Sequence, residues 1–115
     1  MNFEERICNI KTKEDVKFVQ DTLYVLSGKW KLPIVISIYN GNYRYREIAN
    51  DITGITFRML SRELKILELN KLILRKAQEG SPKMIEYMLT EYSQSLYPLI
   101  IDMVKWAKQH RKVII

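Results

Sequence analysis

Gly54–Glu68 reads GITFRMLSRELKILE, and it places two opposed faces on one helix. Leu60, Leu64 and Leu67 recur at i, i+4 and i+7, the spacing of a stripe that packs into a core. Arg58, Arg62 and Lys65 recur at the same spacing on the other side, with Ser61 beside them. Thr56 follows the break at Gly54 and Ile55, where an N-cap hydroxyl would satisfy the first free amides. A helix with one leucine face and one cationic, hydroxyl-bearing face suits a groove lined with phosphates. Taken alone, the segment reads first as an ordinary surface helix with a solvated charged face. Its neighbours decide.

Downstream come Leu72–Ala77 (LILRKA), the polar cluster Gln78-Glu79-Gly80-Ser81-Pro82, and Lys83–Leu89 (KMIEYML). Two short aliphatic and aromatic runs around a Gly/Ser/Pro cluster predict a β-hairpin with a polar tip. Upstream, Tyr45–Asn50 (YREIAN) predicts a short helix and Ile52-Thr53-Gly54 a turn. The order is a helix-turn-helix followed by a wing, a fold mainly α with a β-hairpin (α+β). In such modules the second helix enters the major groove and the first braces it. Thr56, Phe57, Arg58, Ser61, Arg62 and Lys65 are then expected nearest the bases. Arg44 and Arg46 by the first helix, and Arg75, Lys76 and Lys83 on the hairpin, are expected on phosphate.

The chain has 115 residues and 47% hydrophobic content, enough for one domain with a modest core. The expected layout is an N-terminal arm and helix over 1–26, a DNA-binding core over 27–89 with its wing at 72–89, and a C-terminal dimerisation helix over 90–115. The net charge of +6 is unevenly placed. Residues 1–25 hold four basic and five acidic side chains, residues 26–83 eleven and five, and residues 84–115 four and three. The excess therefore coincides with the helix-turn-helix and wing, as a polyanionic partner requires. A membrane surface is also polyanionic, but these basic residues are not set against an exposed Trp/Phe face. No apolar run approaches the ~18–20 residues of a membrane span, and Met1–Ile10 carries Glu4, Glu5 and Arg6 where a signal peptide needs an apolar core. A cytoplasmic protein is expected. The single cysteine, Cys8, excludes an intrachain disulfide and fits a reducing compartment.

At the N-terminal end, Thr12-Lys13-Glu14-Asp15 predicts a capped helix start, Val16, Val19, Leu23 and Leu26 a buried stripe, and Gly28 the helix end. Trp30–Tyr39 (WKLPIVISIY) is apolar all round, as a helix surrounded by others would be, and Pro33 fits there only in the first turn. Thr90–Arg111 predicts a longer helix with a wide stripe of Leu96, Leu99, Ile100, Met103, Trp106 and Ala107, and Pro98 implies a kink or a late start. These two terminal stripes exceed what one small winged domain can bury. The economical arrangement is a homodimer, with Leu96, Leu99, Ile100, Met103 and Trp106 against Val16, Val19 and Leu23. Packing within one chain is the alternative.

The chain resembles the HxlR-type branch of the MarR-like winged-helix regulators over about residues 23–107. The resemblance rests on Gly28-Lys29-Trp30, on Gly41–Ile48 (GNYRYREI), on Gly54–Ser61 (GITFRMLS) and on Glu63–Glu68 (ELKILE). It continues through Arg75, Pro82–Thr90 (PKMIEYMLT) and Trp106. It implies a dimeric DNA-binding regulator, often a repressor, with the terminal helices as its dimer interface; a two-fold protein should in turn recognise an inverted-repeat operator. Two departures matter. Where the family usually has glycine before the first wing strand, this chain has Lys71, and Asn70 could carry the left-handed turn instead. Where many members have a Cys-Pro pair, which in some senses oxidants or electrophiles, this chain has Lys17-Phe18, and Cys8 lies twenty-one residues before Lys29, so the thiol-sensor role does not carry over.

Other chemistry finds little support. Cys8 has Arg6 and Lys11 nearby, which would favour a thiolate in an exposed segment, but an incidental thiol is the simpler reading. His110 is alone and reads as a surface residue, so neither a metal site nor a cofactor is expected. Ser27-Gly28-Lys29 lacks the upstream glycine and following hydroxyl of a phosphate-binding loop. The seven tyrosines are expected mostly half-buried, some lining a small-molecule effector pocket between domain and dimer helices. No nucleophile, base and orienting group can be assembled, so the chain is not expected to be an enzyme. The competing function is a winged-helix module that binds protein, with Phe57 as its contact. The basic recognition face argues against it.

Overall fold

Thr12 opens the first helix, its hydroxyl accepting a 3.1 Å hydrogen bond from the Asp15 amide. The computed structural model describes residues 12–78 and 81–115, with side chains undescribed at 78 and 81–83. Helix α1 spans Lys13–Leu26, with Glu14 and Asp15 in its first turn, where acidic groups complement the helix dipole. It stops at Ser27, and Gly28 takes the left-handed φ of 103°. Helix α2, Lys31–Tyr39, admits Pro33 in its first turn and buries Ile34, Val35, Ser37 and Ile38. Helix α3, Tyr45–Asp51, is secured by the Arg44 amide donating to Glu47 Oε1 at 3.0 Å. Helix α4, Phe57–Leu69, starts where predicted: Thr56 Oγ1 accepts from the Met59 amide at 3.1 Å.

The wing follows, with strand β1 over Ile73–Gln78 and β2 over Ser81–Leu89. They pair antiparallel from Ile73↔Leu89 to Ala77↔Ile85, then shift to Gln78↔Ser81. The ladder thus reaches further into the tip than expected. Tyr87 N donates to Tyr43 O at 2.7 Å, tying the wing to the segment before α3. A 3-10 turn at Tyr92–Ser95 leads into α5, Leu96–Ile114. Pro98 lies in the first turn of α5, so the helix starts late rather than kinking.

Lys71, and not Asn70, carries the left-handed backbone, with φ 62°. The reason is the helix ending. Leu72 N donates to Leu67 O and Lys71 N to Glu68 O, both at 3.0 Å, the two bonds of a Schellman ending. That pattern requires the left-handed residue one place beyond the C-cap, Asn70. Asn70 uses its side chain instead, Nδ2 donating to Ile66 O.

The core gathers Leu26, Ile34, Val35, Ile38, Ile48, Ile52, Leu60, Leu64, Leu67, Leu72 and Ile73, with Leu96 and Ile100 packed at its margin. The stripe expected to be buried on α1 is open except at its end: Val16, Val19 and Leu23 are 50%, 55% and 58% exposed. Leu99, Met103 and Trp106 on α5 are exposed too, and α5 buries no residue. Among the described residues nothing lies over these faces. The Cα radius of gyration, 17.1 Å, accordingly exceeds the ~13 Å of a compact domain of this length. Five of the seven tyrosines, Tyr24, Tyr39, Tyr43, Tyr92 and Tyr97, are exposed rather than half-buried. His110 is at the surface, as expected, stacked on Trp106 at 4.7 Å.

Candidate nucleic-acid interface

Helix α4 divides as its spacing requires. Leu60, Leu64 and Leu67 are 0%, 2% and 1% exposed, while Arg58, Ser61, Arg62 and Lys65 face solvent. Burying three leucines anchors the helix, since each contributes ~1.5–3 kcal/mol relative to exposure. The cationic side is therefore presented from a rigid support. On one flank Glu63 turns inward to Lys31 of α2, their charges 3.0 Å apart. On the other flank lie α3 and the wing.

Tyr45 opens α3 and reaches the start of α4. Its hydroxyl lies 2.5 Å from Phe57 O and 2.7 Å from Ser61 Oγ, and its ring tilts against that of Phe57 at 5.7 Å. Phe57 itself is 64% exposed. No spacing rule links residues twelve and sixteen positions apart on different helices, so sequence reasoning did not single out Tyr45.

The structure sorts the residues expected on phosphate. Arg75 shares a groove with Ser61, Lys65, Glu68 and Tyr87, between α4 and the wing. Lys76 is next on the strand and faces the other side, opposite Glu86. Arg44 and Arg46 line a second groove with Met84, Ile85 and Tyr87. The side chain of Lys83 lies outside the described residues, as does Cys8. Glu68, which sequence reasoning also passed over, brings a negative charge to the Arg75 groove.

A separate apolar groove of about 290 Å³ lies between α2 and α5. Val35, Leu89, Ile100 and Val104 line it, and Tyr39 stacks on Tyr97 within it at 5.1 Å. Among the described residues no helix is long and apolar enough to cross a membrane.

A basic helix held by its leucines on a small helical core, preceded by a bracing helix and followed by a hairpin, defines a winged helix-turn-helix protein. The chain belongs to the HxlR-like helix-turn-helix family, which matches residues 25–114. It is 33% identical to the HTH-type transcriptional regulator YybR of Bacillus subtilis over 96 residues, 84% of this chain and 77% of that one. Among solved structures it is similar to the redox regulator HypR in its reduced form, with TM-score 0.75, 33% identity and coverage of 84% and 95%. It is also similar to the reduced transcriptional regulator YodB of B. subtilis, with TM-score 0.72, 30% identity and coverage of 78% and 88%. The chain is a DNA-binding transcriptional regulator.

Proposed function

We propose that the protein is a dimeric repressor that binds an inverted-repeat operator and is released by a chemical signal. Helix α4 enters the major groove, with Arg58, Arg62 and Lys65 toward DNA and Thr56, Phe57 and Ser61 at its leading end. Arg44, Arg46 and Arg75 hold phosphates and set the register, with Lys83 beside them and Lys76, on the other face of its strand, the weakest contact. The observation that carries this reading is the division of α4, whose leucines are sealed in the core while its cations stand in solvent. A helix built that way can lose its arginines without losing its fold. Operator binding by an Arg58→Ala/Arg62→Ala variant tests the reading: each bidentate Arg–base contact contributes ~1–3 kcal/mol, so affinity should fall at least ~10-fold. Unchanged affinity refutes it.

The dimer forms through α1 and α5, where Val16, Val19, Leu23, Leu99, Met103 and Trp106 present one chain's uncovered apolar surface, with Leu96 and Ile100 beneath. Two α4 helices must then sit about one DNA turn apart, and a small rotation between protomers would disengage one of them. A ligand needs only a few kcal/mol of preference for one arrangement to drive that switch. The groove of Tyr39 and Tyr97 touches both α2 and α5 and so suits a small aromatic or apolar effector. Oxidation of Cys8 is the competing input, in keeping with the redox regulators among the similar structures. Diamide that releases wild type but not Cys8→Ser from DNA would establish the thiol as the receiver; release of neither leaves a ligand, or a regulator without an effector.

A further inference from the structure

The oxygens of Tyr45, Ser61 and Phe57 form a chain whose proton positions follow from donor counting. Tyr45 Oη is 2.5 Å from Phe57 O and 2.7 Å from Ser61 Oγ. A carbonyl has no proton to give, so the one phenolic proton belongs to the Phe57 contact. The contact with Ser61 then needs a proton from the serine, because two oxygens that close repel without hydrogen between them. Ser61 therefore donates to Tyr45, and Tyr45 donates to the Phe57 carbonyl. On its open side Ser61 keeps only lone pairs. That side borders the groove of Lys65 and Arg75.

We infer that Tyr45 is a specificity-determining residue, because it makes Ser61 an obligate acceptor toward DNA. The inference rests on the reading above, in which α4 enters the major groove. There adenine N6 and cytosine N4 are the donors, while guanine offers N7 and O6 and thymine O4 as acceptors. An unengaged serine hydroxyl is both donor and acceptor and pairs with either kind of edge. With its proton held by Tyr45, Ser61 selects adenine or cytosine at the base it faces. Tyr45 acts through Ser61 and is a positioning residue. Tyr45→Phe removes the hydroxyl while keeping the ring against Phe57, so it frees the serine proton with little change in packing.

Selection of bound sequences from random duplexes, run on wild type, Ser61→Ala, Tyr45→Phe and Arg58→Ala/Arg62→Ala, tests this, with thermal melts as the check on folding. Wild type should enrich adenine or cytosine at one position per half-site, by about 3- to 10-fold, the worth of one hydrogen bond. Ser61→Ala should lose that preference at that position alone. Tyr45→Phe should admit guanine or thymine there and keep the rest of the site. Full retention of the preference by Tyr45→Phe overturns the inference, as does a wild-type preference for guanine or thymine at the Ser61-dependent position. So does the absence of any Ser61-dependent position. If Tyr45→Phe melts early, the base found at the Ser61-dependent position decides. The arginine variant keeps the two levels apart. Undiminished affinity in it refutes the placement of α4, whereas lost affinity with an unaltered Tyr45→Phe site refutes only the proton relay.

Discussion

Lys31 Nζ stands 3.0 Å from Glu63 Oε2, joining the first turn of α2 to the flank of α4, and the two side chains are only 14% and 16% exposed. It is a contact of charges rather than an aligned hydrogen bond. Its place on the side of α4 away from the wing lets it fix the helix's angle without competing for DNA. Glu63→Ala would leave the ammonium sheltered and unpaired. The cost should fall between that of surface and buried pairs, about 1–2 kcal/mol. Urea unfolding should show a lower midpoint with an unchanged slope; an unmoved midpoint would mean that the pair contributes nothing.

Lys71 holds a left-handed conformation that favours glycine. A side chain there costs ~1–2 kcal/mol, and glycine returns part of that gain by loosening the unfolded chain. Lys71→Gly should therefore stabilise the protein by about 0.5–1 kcal/mol in thermal or urea unfolding. Destabilisation would show that the lysine side chain supplies something that this ending does not require.

Each phosphate contact releases condensed counterions, so its loss should flatten the slope of log K against log salt by ~0.9 and weaken all sequences alike. Arg44→Ala, Arg46→Ala and Arg75→Ala are expected to behave so. Lys76 faces away from the α4 groove, so Lys76→Ala should move the slope least of these. If Lys83→Ala altered the preferred sequence, the wing would be reading bases.

Trp106 is 67% exposed in a single chain. Trp106→Ala should therefore cost the isolated fold little, and its effect should appear as dissociation. Buried in a dimer, a tryptophan truncated to alanine loses ~3–5 kcal/mol. Sedimentation should find wild type dimeric at micromolar concentration and the variant shifted toward monomer. A monomeric wild type would remove the two-fold arrangement altogether.

The features legible in the sequence are those set within a few residues. Thr12 and Thr56 cap as their positions require, the leucines of α4 point inward, and the hairpin forms around its polar cluster. The stripe of Val16, Val19 and Leu23 was legible as an apolar face, but periodicity cannot say which chain covers such a face. Lys71 was missed because the left-handed residue is chosen by the register of the last helical carbonyls, which overrides side-chain preference. Tyr45 was missed because its partners, Phe57 and Ser61, approach it only when two helices dock. The exposed tyrosines were misplaced because a ring can lie on a helix edge without a neighbour to shelter it.

The central claim is that two copies of α4 read DNA together across a two-fold axis. Selection by the wild-type protein from random duplexes tests it most directly. The account predicts an inverted repeat whose half-site centres lie ~34 Å apart, one helical turn. Enrichment of a lone half-site, or of no sequence at all, would contradict it.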